Sequence, residues 1–328
     1  MSKKFIKKNN IDLANPNLGT KILIFSDQFF APAKRIINPE APIFKEGVYD
    51  NHGKWMDGWE TRRRRDKGND YLVIKLGKAG KIKYFDVDTS FFNGNQPQYA
   101  QIDGTYSTNN LSKKTKWQKI TNKIKIKPDS SNILKSITSK TFTHIRLNIY
   151  PDGGVARLKI MGLIDISINK SLLNKNTNLI SILNGSRVIA CSDEHFGNAN
   201  NILLPGKSKN MGNGWETRRR RGLGYDWVII KLAIPAIPNL YEINTHHFKG
   251  NFPDAFSIQG AMNGKKLSTK SIIHHSLKWN TIIEKTKLKA NNSIRILKNN
   301  NKKINYIKLN IFPDGGISRF KIYGKVKF

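Results

Sequence analysis

Trp59-Glu60-Thr61-Arg62-Arg63-Arg64-Arg65 returns 156 residues later as Trp215-Glu216-Thr217-Arg218-Arg219-Arg220-Arg221. A guanidinium fork binds a carboxylate or a planar ureido oxygen through two parallel hydrogen bonds. A carboxyl group beside it can move a proton or direct a water molecule. Glu60 next to Arg62, Arg63 and Arg65, and Glu216 next to Arg219 and Arg221, therefore suit a small planar anion. The same residues also suit a plainer role, in which arginines pair with surface acids and the tryptophan packs in a core. Exposed pairs of that kind contribute only ~0–1 kcal/mol. The motif alone leaves both readings open. Arginine usage sharpens it: the chain has 57 lysines and arginines, yet only 14 are arginine, and eight of those lie in the two runs.

Other polar residues recur around this motif. Gly94-Asn95-Gln96-Pro97 returns as Gly250-Asn251-Phe252-Pro253, which makes Asn95 and Asn251 candidate binding residues. Asp57 and Asp88 correspond to Asn213 and Asn244 in the second copy, so any proton work by these carboxylates would make the copies unequal; drift at solvated turns accounts for the difference as well. His247 lies in the repeated block His247-Phe248-Lys249-Gly250-Asn251 and is the histidine best placed to act as acid or base. The pairs His246-His247 and His274-His275 would point to opposite faces of a strand, and there is one cysteine, Cys191. Neither pattern spells a metal site, and Cys191 reads as a small buried hydrophobe. No metal and no cofactor are expected. The chain has no Gly-x-Ser-x-Gly elbow and no phosphate-binding loop.

The formal net charge is +34 in 328 residues. Such a balance is compatible with nucleic acid. The lysines are spread along the whole chain, however, and together with 36 asparagines and abundant isoleucine they fit a base-composition bias better. No nucleic-acid partner is expected, and no membrane partner, because no apolar run reaches the ~18 residues a membrane helix needs. The polar opening MSKKFIKKNN and the single cysteine read as cytoplasmic.

These residues sit in a duplication. Asp70–Leu76 returns as Asp226–Leu232, and Leu147–Gly154, with its Pro-Asp-Gly-Gly, returns as Leu309–Gly316 at an offset of 162. Repeats of this size make two like domains, expected at residues 1–165 and 166–328. The stretch Asn169–Asn184 joins them and has room for a short docked helix or strand. Lys21–Phe25, Tyr71–Leu76, Lys81–Val87, His144–Tyr150 and Val155–Ile160 are short and rich in β-branched and aromatic residues, as strands are. Ile145, Leu147 and Ile149 share one face. Pro151-Asp152-Gly153-Gly154 reads as a tight turn joining antiparallel strands. The expected fold is all-β, two tandem antiparallel jelly-roll sandwiches.

Gly53 to Arg65, Asn184–Gly197, Met211–Thr217, His247–Pro253 and the closing Asn-Ile-Tyr/Phe-Pro-Asp-Gly-Gly resemble the allantoicase family over nearly the whole chain, from about Phe25 to Gly324. The resemblance implies jelly rolls of the galactose-binding-like type in a homo-oligomeric enzyme. It implies hydrolysis of allantoate to ureidoglycolate and urea in purine degradation. Arginines of the two runs would then fork onto the substrate carboxylate. Glu60 or Glu216 would protonate the leaving nitrogen or direct water, with Asn95, Asn251 and His247 on the other ureido arm. The sequence departs from the family's pattern at Asn213 and Asn244, where aspartate is usual, at Arg218, where a small residue is usual, and at Tyr71, where tryptophan is usual. The alternative from another class is a non-enzymatic jelly roll that binds a sugar or small ligand.

Overall fold

The computed structural model describes residues 5–166, 176–265, 267–299 and 301–326. It divides into a unit of Asn10–Asp165 and a second unit built on Ile166–Phe328, which also takes in the N-terminal segment. Ile6 and Lys7 pair with Cys191 and Ala190 of that second unit.

In the first unit one strand organises the rest. Asp70–Asp88 runs without a break for 19 residues, where two separate strands were expected. Its first half pairs with Lys21–Phe25 on one side and Thr141–Tyr150 on the other. Its second half pairs with Ser131–Lys135 and Arg157–Ile164. All these ladders are antiparallel. The core of this unit takes Leu72, Ile74, Phe85 and Val87 from the long strand, all buried, together with Ile145, Leu147, Ile149, Leu158 and Ile160. The change of partner falls at Gly77-Lys78-Ala79-Gly80. A Cβ on Gly77 would lie 1.9 Å from the Leu18 carbonyl oxygen, so the chain can pass there only as glycine.

The second unit repeats the design. Asp226–Asn244 pairs first with Arg187–Cys191 and Ile304–Phe312, then with Ser293–Leu297 and Arg319–Val326. Pro235 and Pro238 lie at its change of partner, where the ladder register shifts and a missing N–H is tolerated. A short helix, Thr269–His275, is capped by the Ser268 side chain. The fold is thus all-β, two antiparallel jelly-roll repeats, as expected. Within the joining stretch, residues 167–175 lie outside the described residues. Thr177–Asn178 is a strand on Tyr323–Gly324, and Ile182–Asn184 is a single tight turn of helix.

Pro151-Asp152-Gly153-Gly154 does not make a hairpin between its flanking strands. Thr141–Tyr150 and Arg157–Ile164 both pair with the long strand instead. The turn crosses between them and places Gly154 and Val155 against Glu60 and Trp59. Gly153 has φ of 135°, a left-handed conformation, and a Cβ on Gly154 would sink to 2.0 Å from the Phe92 ring. The second unit copies this with Trp215–Glu216 on Gly316–Ile317, where Gly316 lies on Phe248.

Candidate active site

The ribbon Trp59–Glu60 is fixed from several sides. Trp59 is fully buried and its indole N–H donates to the Asp27 carbonyl at 2.7 Å. Losing that side chain would cost ~3–5 kcal/mol. Glu60 exchanges backbone hydrogen bonds with Ala31 at 3.2 Å. Thr61 and Gly153 close one end of the ribbon through the Thr61 hydroxyl. The main chain is therefore pinned on both sides of Glu60, and the carboxyl has a defined position.

That carboxyl is half-buried and accepts a hydrogen bond from Asn95 Nδ2 at 2.8 Å on Oε1. Burial pushes its pKa up from the ordinary glutamate value, while the Asn95 bond works against the shift. Asn95 is itself anchored, because its carbonyl accepts the Gly154 N–H at 2.7 Å. The second unit makes the same bond from Asn251 Nδ2 to Glu216 Oε1, with the Asn251 carbonyl on the Gly316 N–H. The structure brings Glu60 to Asn95 and Glu216 to Asn251.

The arginine runs divide by position. Arg62 forks onto Asp27 through Nε at 3.1 Å and Nη2 at 2.9 Å, and its backbone N–H donates to the same carboxylate at 2.7 Å. Burial works to raise the Asp27 pKa, but the two kinds of Arg62 bond outweigh it and hold it below the usual range. Arg218 does the same with Asp193. Arg64 donates to the buried Asp70 at 2.8 Å, and its backbone N–H to Asp152 at 2.7 Å. Arg220 repeats this with Asp226 and Asp314. Arg63, Arg65, Arg219 and Arg221 are exposed and have no hydrogen bond or ion pair among the described residues. Every second arginine of each run thus anchors the loop, and the others are free to meet an anion.

Other expected residues lie apart from these pairs. Asp88 accepts bonds from the Ser90 N–H and hydroxyl and makes none with Glu60. His247, at φ of 73°, donates its N–H to Asn291, and its imidazole Nε2 meets the Ser208 carbonyl at 2.9 Å. Asp57 pairs with Arg157. Among the described residues, no group of three or more His, Cys, Asp or Glu could hold a metal ion. Cys191 is buried, and burial pushes its thiol pKa far up. Sequence reasoning passed over Asp27, Asp70, Asp152, Arg64 and their second-unit equivalents. Their one signal is that Ser-Asp and Pro-Asp-Gly-Gly recur with the Trp-Glu motif.

The allantoicase repeat model matches residues 11–165 and again 177–327. The chain belongs to the allantoicase family. A probable allantoicase of Photobacterium profundum is 44% identical over 328 residues, covering 99% of each chain. One from Acinetobacter baylyi is 43% identical, covering 96% of this chain and 94% of that protein. The crystal structure of allantoicase from Saccharomyces cerevisiae superposes with a TM-score of 0.82 at 30% identity, over 96% of this chain and 93% of that one. The doubled Glu–Asn contact therefore lies within an allantoicase fold, one copy to each repeat. Among the described residues, no helix is long and apolar enough to cross a membrane.

Proposed function

We propose that the Glu60–Asn95 and Glu216–Asn251 pairs, with the free arginines beside them, are where this allantoicase hydrolyses allantoate to ureidoglycolate and urea. The activity is a hydrolysis of a carbon–nitrogen bond. Allantoate carries a carboxylate and two ureido arms on one carbon. One of Arg63 and Arg65, or of Arg219 and Arg221, forks onto the carboxylate. Glu60 gives a proton to the leaving ureido nitrogen, and burial, which raises its pKa, strengthens its hold on that proton. The carbon–nitrogen bond breaks and urea departs. Water adds hydroxide to the carbon, giving ureidoglycolate, and its other proton restores the acid. Asn95 occupies Oε1 of Glu60, leaving Oε2 toward the substrate, and its amide oxygen can accept an N–H of the second arm.

The observation that carries this reading is the Glu–Asn contact, made in the same register in both repeats and followed by arginines with no internal partner. Asp88 and His247 enter this reading as outer residues of the loops that carry Asn95 and Asn251. The reading extends to a cytoplasmic homo-oligomer with domains near 1–165 and 166–328, supported by the single cysteine and the doubled motif. The sugar-binding alternative is not favoured by the family match. Purified protein given allantoate should release urea and ureidoglycolate in equal amounts. An Asn95→Ala/Asn251→Ala variant should turn over about tenfold to a hundredfold more slowly, as a misplaced catalytic group does. Absence of either product, or a double variant as fast as the parent, would overturn the assignment.

A further inference from the structure

The ribbon that carries the glutamate is closed differently in the two units. In both, one end is closed by threonine and glycine, Thr61 with Gly153 and Thr217 with Gly315. At the other end the first unit uses a buried ion pair. Arg157 is 1% exposed and donates Nη2 to the Asp57 carboxylate at 2.7 Å. The same guanidinium holds the carbonyls of Asp57, Ala156 and Glu40 at 2.8–2.9 Å. Asp57 also accepts the Ile43 N–H at 3.0 Å. One knot thus ties the 40–43 loop, the turn before Trp59 and the strand after Val155. Gly58 between them admits no side chain, since a Cβ would lie 2.5 Å from the Val155 carbonyl oxygen.

The second unit keeps the arginine and loses the carboxylate. Arg319, 2% exposed, donates to the Asn213 amide oxygen, to the carbonyls of Asn213 and Ser318 and, at 3.3 Å, to the carbonyl of Lys207. Its Nε is buried without a hydrogen-bond partner. Burial with no counter-charge lowers its pKa from the ordinary arginine value to about 10. A buried cation facing only neutral groups is poorly compensated, and the segment around it gains by loosening toward water. That segment runs from Asn213 to Glu216.

We infer that Asp57, through Arg157, is a positioning residue that makes the first unit's site the principal working site, and that Asn213 leaves the second unit's site attenuated. This rests on the reading that Glu60 and Glu216 are the acids. Asp57 acts on the glutamate through three residues of pinned main chain and does not touch the substrate. The free arginines are outside the knot, so substrate affinity should be nearly independent of it while the rate is not.

The test uses the full chain and allantoate turnover. Glu60→Gln should lower kcat by at least about tenfold, whereas Glu216→Gln should lower it less than about twofold. In the Glu216→Gln background, Asp57→Asn should lower kcat about tenfold with KM held within about twofold, as a small displacement of a reacting group does. The natural Asn213–Arg319 pair shows that this combination is compatible with the fold. In the Glu60→Gln background, Asn213→Asp should raise the residual kcat several-fold, a gain of function that a misfolded variant could not produce. If Glu60→Gln and Glu216→Gln each remove about half of the activity, the glutamates are the acids and the inequality is wrong. If the two together leave activity unchanged, the site itself is misassigned and the inference falls with it. An Asn213→Asp change without effect on kcat also overturns it.

Discussion

Alternate arginines of one run should answer to different measurements. Arg64 donates to Oδ1 of Asp70, which is 2% exposed, and the other carboxylate oxygen, Oδ2, is buried without a hydrogen-bond partner. Truncating Arg64 leaves that carboxylate buried with only the Ser26 hydroxyl, at 2.8 Å. Breaking a buried pair costs ~3–5 kcal/mol. Arg64 itself is 26% exposed, so water can partly replace it, and ~2–3 kcal/mol is the expected loss. Its second pair, with the exposed Asp66, adds nearly nothing. For a unit of this size each kcal/mol lowers Tm by about 2–4 °C, so Arg64→Ala/Arg220→Ala should melt roughly 5–10 °C below the parent. Arg63→Ala/Arg219→Ala removes side chains that touch nothing internal and should stay within ~0.5 kcal/mol. Either it or Arg65→Ala/Arg221→Ala should instead raise KM for allantoate roughly tenfold to a hundredfold, the loss of a charged hydrogen bond of ~1.5–3 kcal/mol. Melting followed by circular dichroism and steady-state urea release decide the matter. The division is refuted if Arg63→Ala/Arg219→Ala melts as early as Arg64→Ala/Arg220→Ala, or if neither it nor Arg65→Ala/Arg221→Ala raises KM above the parent's.

Three further outcomes follow from the same geometry. Burial pushes the Asp12 carboxyl up to about 6 against the pull of the Ile160 and Ala14 N–H groups, so its contribution to stability is lost as pH rises from about 4 to about 6. Asp12→Asn keeps both accepted bonds and should exceed the parent's stability by up to about 2–3 kcal/mol at pH 8 and by nearly nothing at pH 4; an equal gap at both values by urea unfolding would contradict this. In the Glu216→Gln background kcat should fall as pH rises through the raised Glu60 pKa, since the acid is lost there; a rate that climbs instead would make Glu60 a base. Gly58→Ala should cost ~1–3 kcal/mol because its Cβ meets main chain at 2.5 Å, whereas Gly222→Ala, with nothing within 4 Å, should be nearly neutral in the same melting assay.

The duplication, the β class and the recurrence of Glu60 and Asn95 as Glu216 and Asn251 were legible because each left a repeated pattern of residue types; the hydrogen bond between each glutamate and its asparagine was not. What was not legible depends on contacts far apart in sequence. Asp57 looked like a free carboxyl that could move protons, yet its partner Arg157 lies 100 positions away and is buried. The four arginines looked like one patch. Asp27 and Asp70, brought in by the Lys21–Phe25 and Asp70–Asp88 strands, divide them by position. Pro-Asp-Gly-Gly carried the correct turn signal but the wrong geometry. Nothing local says that Gly154 must lie flat on Phe92, and that contact turns a presumed hairpin into a crossing that closes the site.

The most direct test separates binding from chemistry in Glu60→Gln/Glu216→Gln. Allantoate titrated into this variant by calorimetry should still bind, because Arg63, Arg65, Arg219 and Arg221 are untouched. Urea release should fall by about a hundredfold or more, the contribution of a positioned acid. Binding without turnover is the result this account predicts. Urea released at the parent's rate would contradict it.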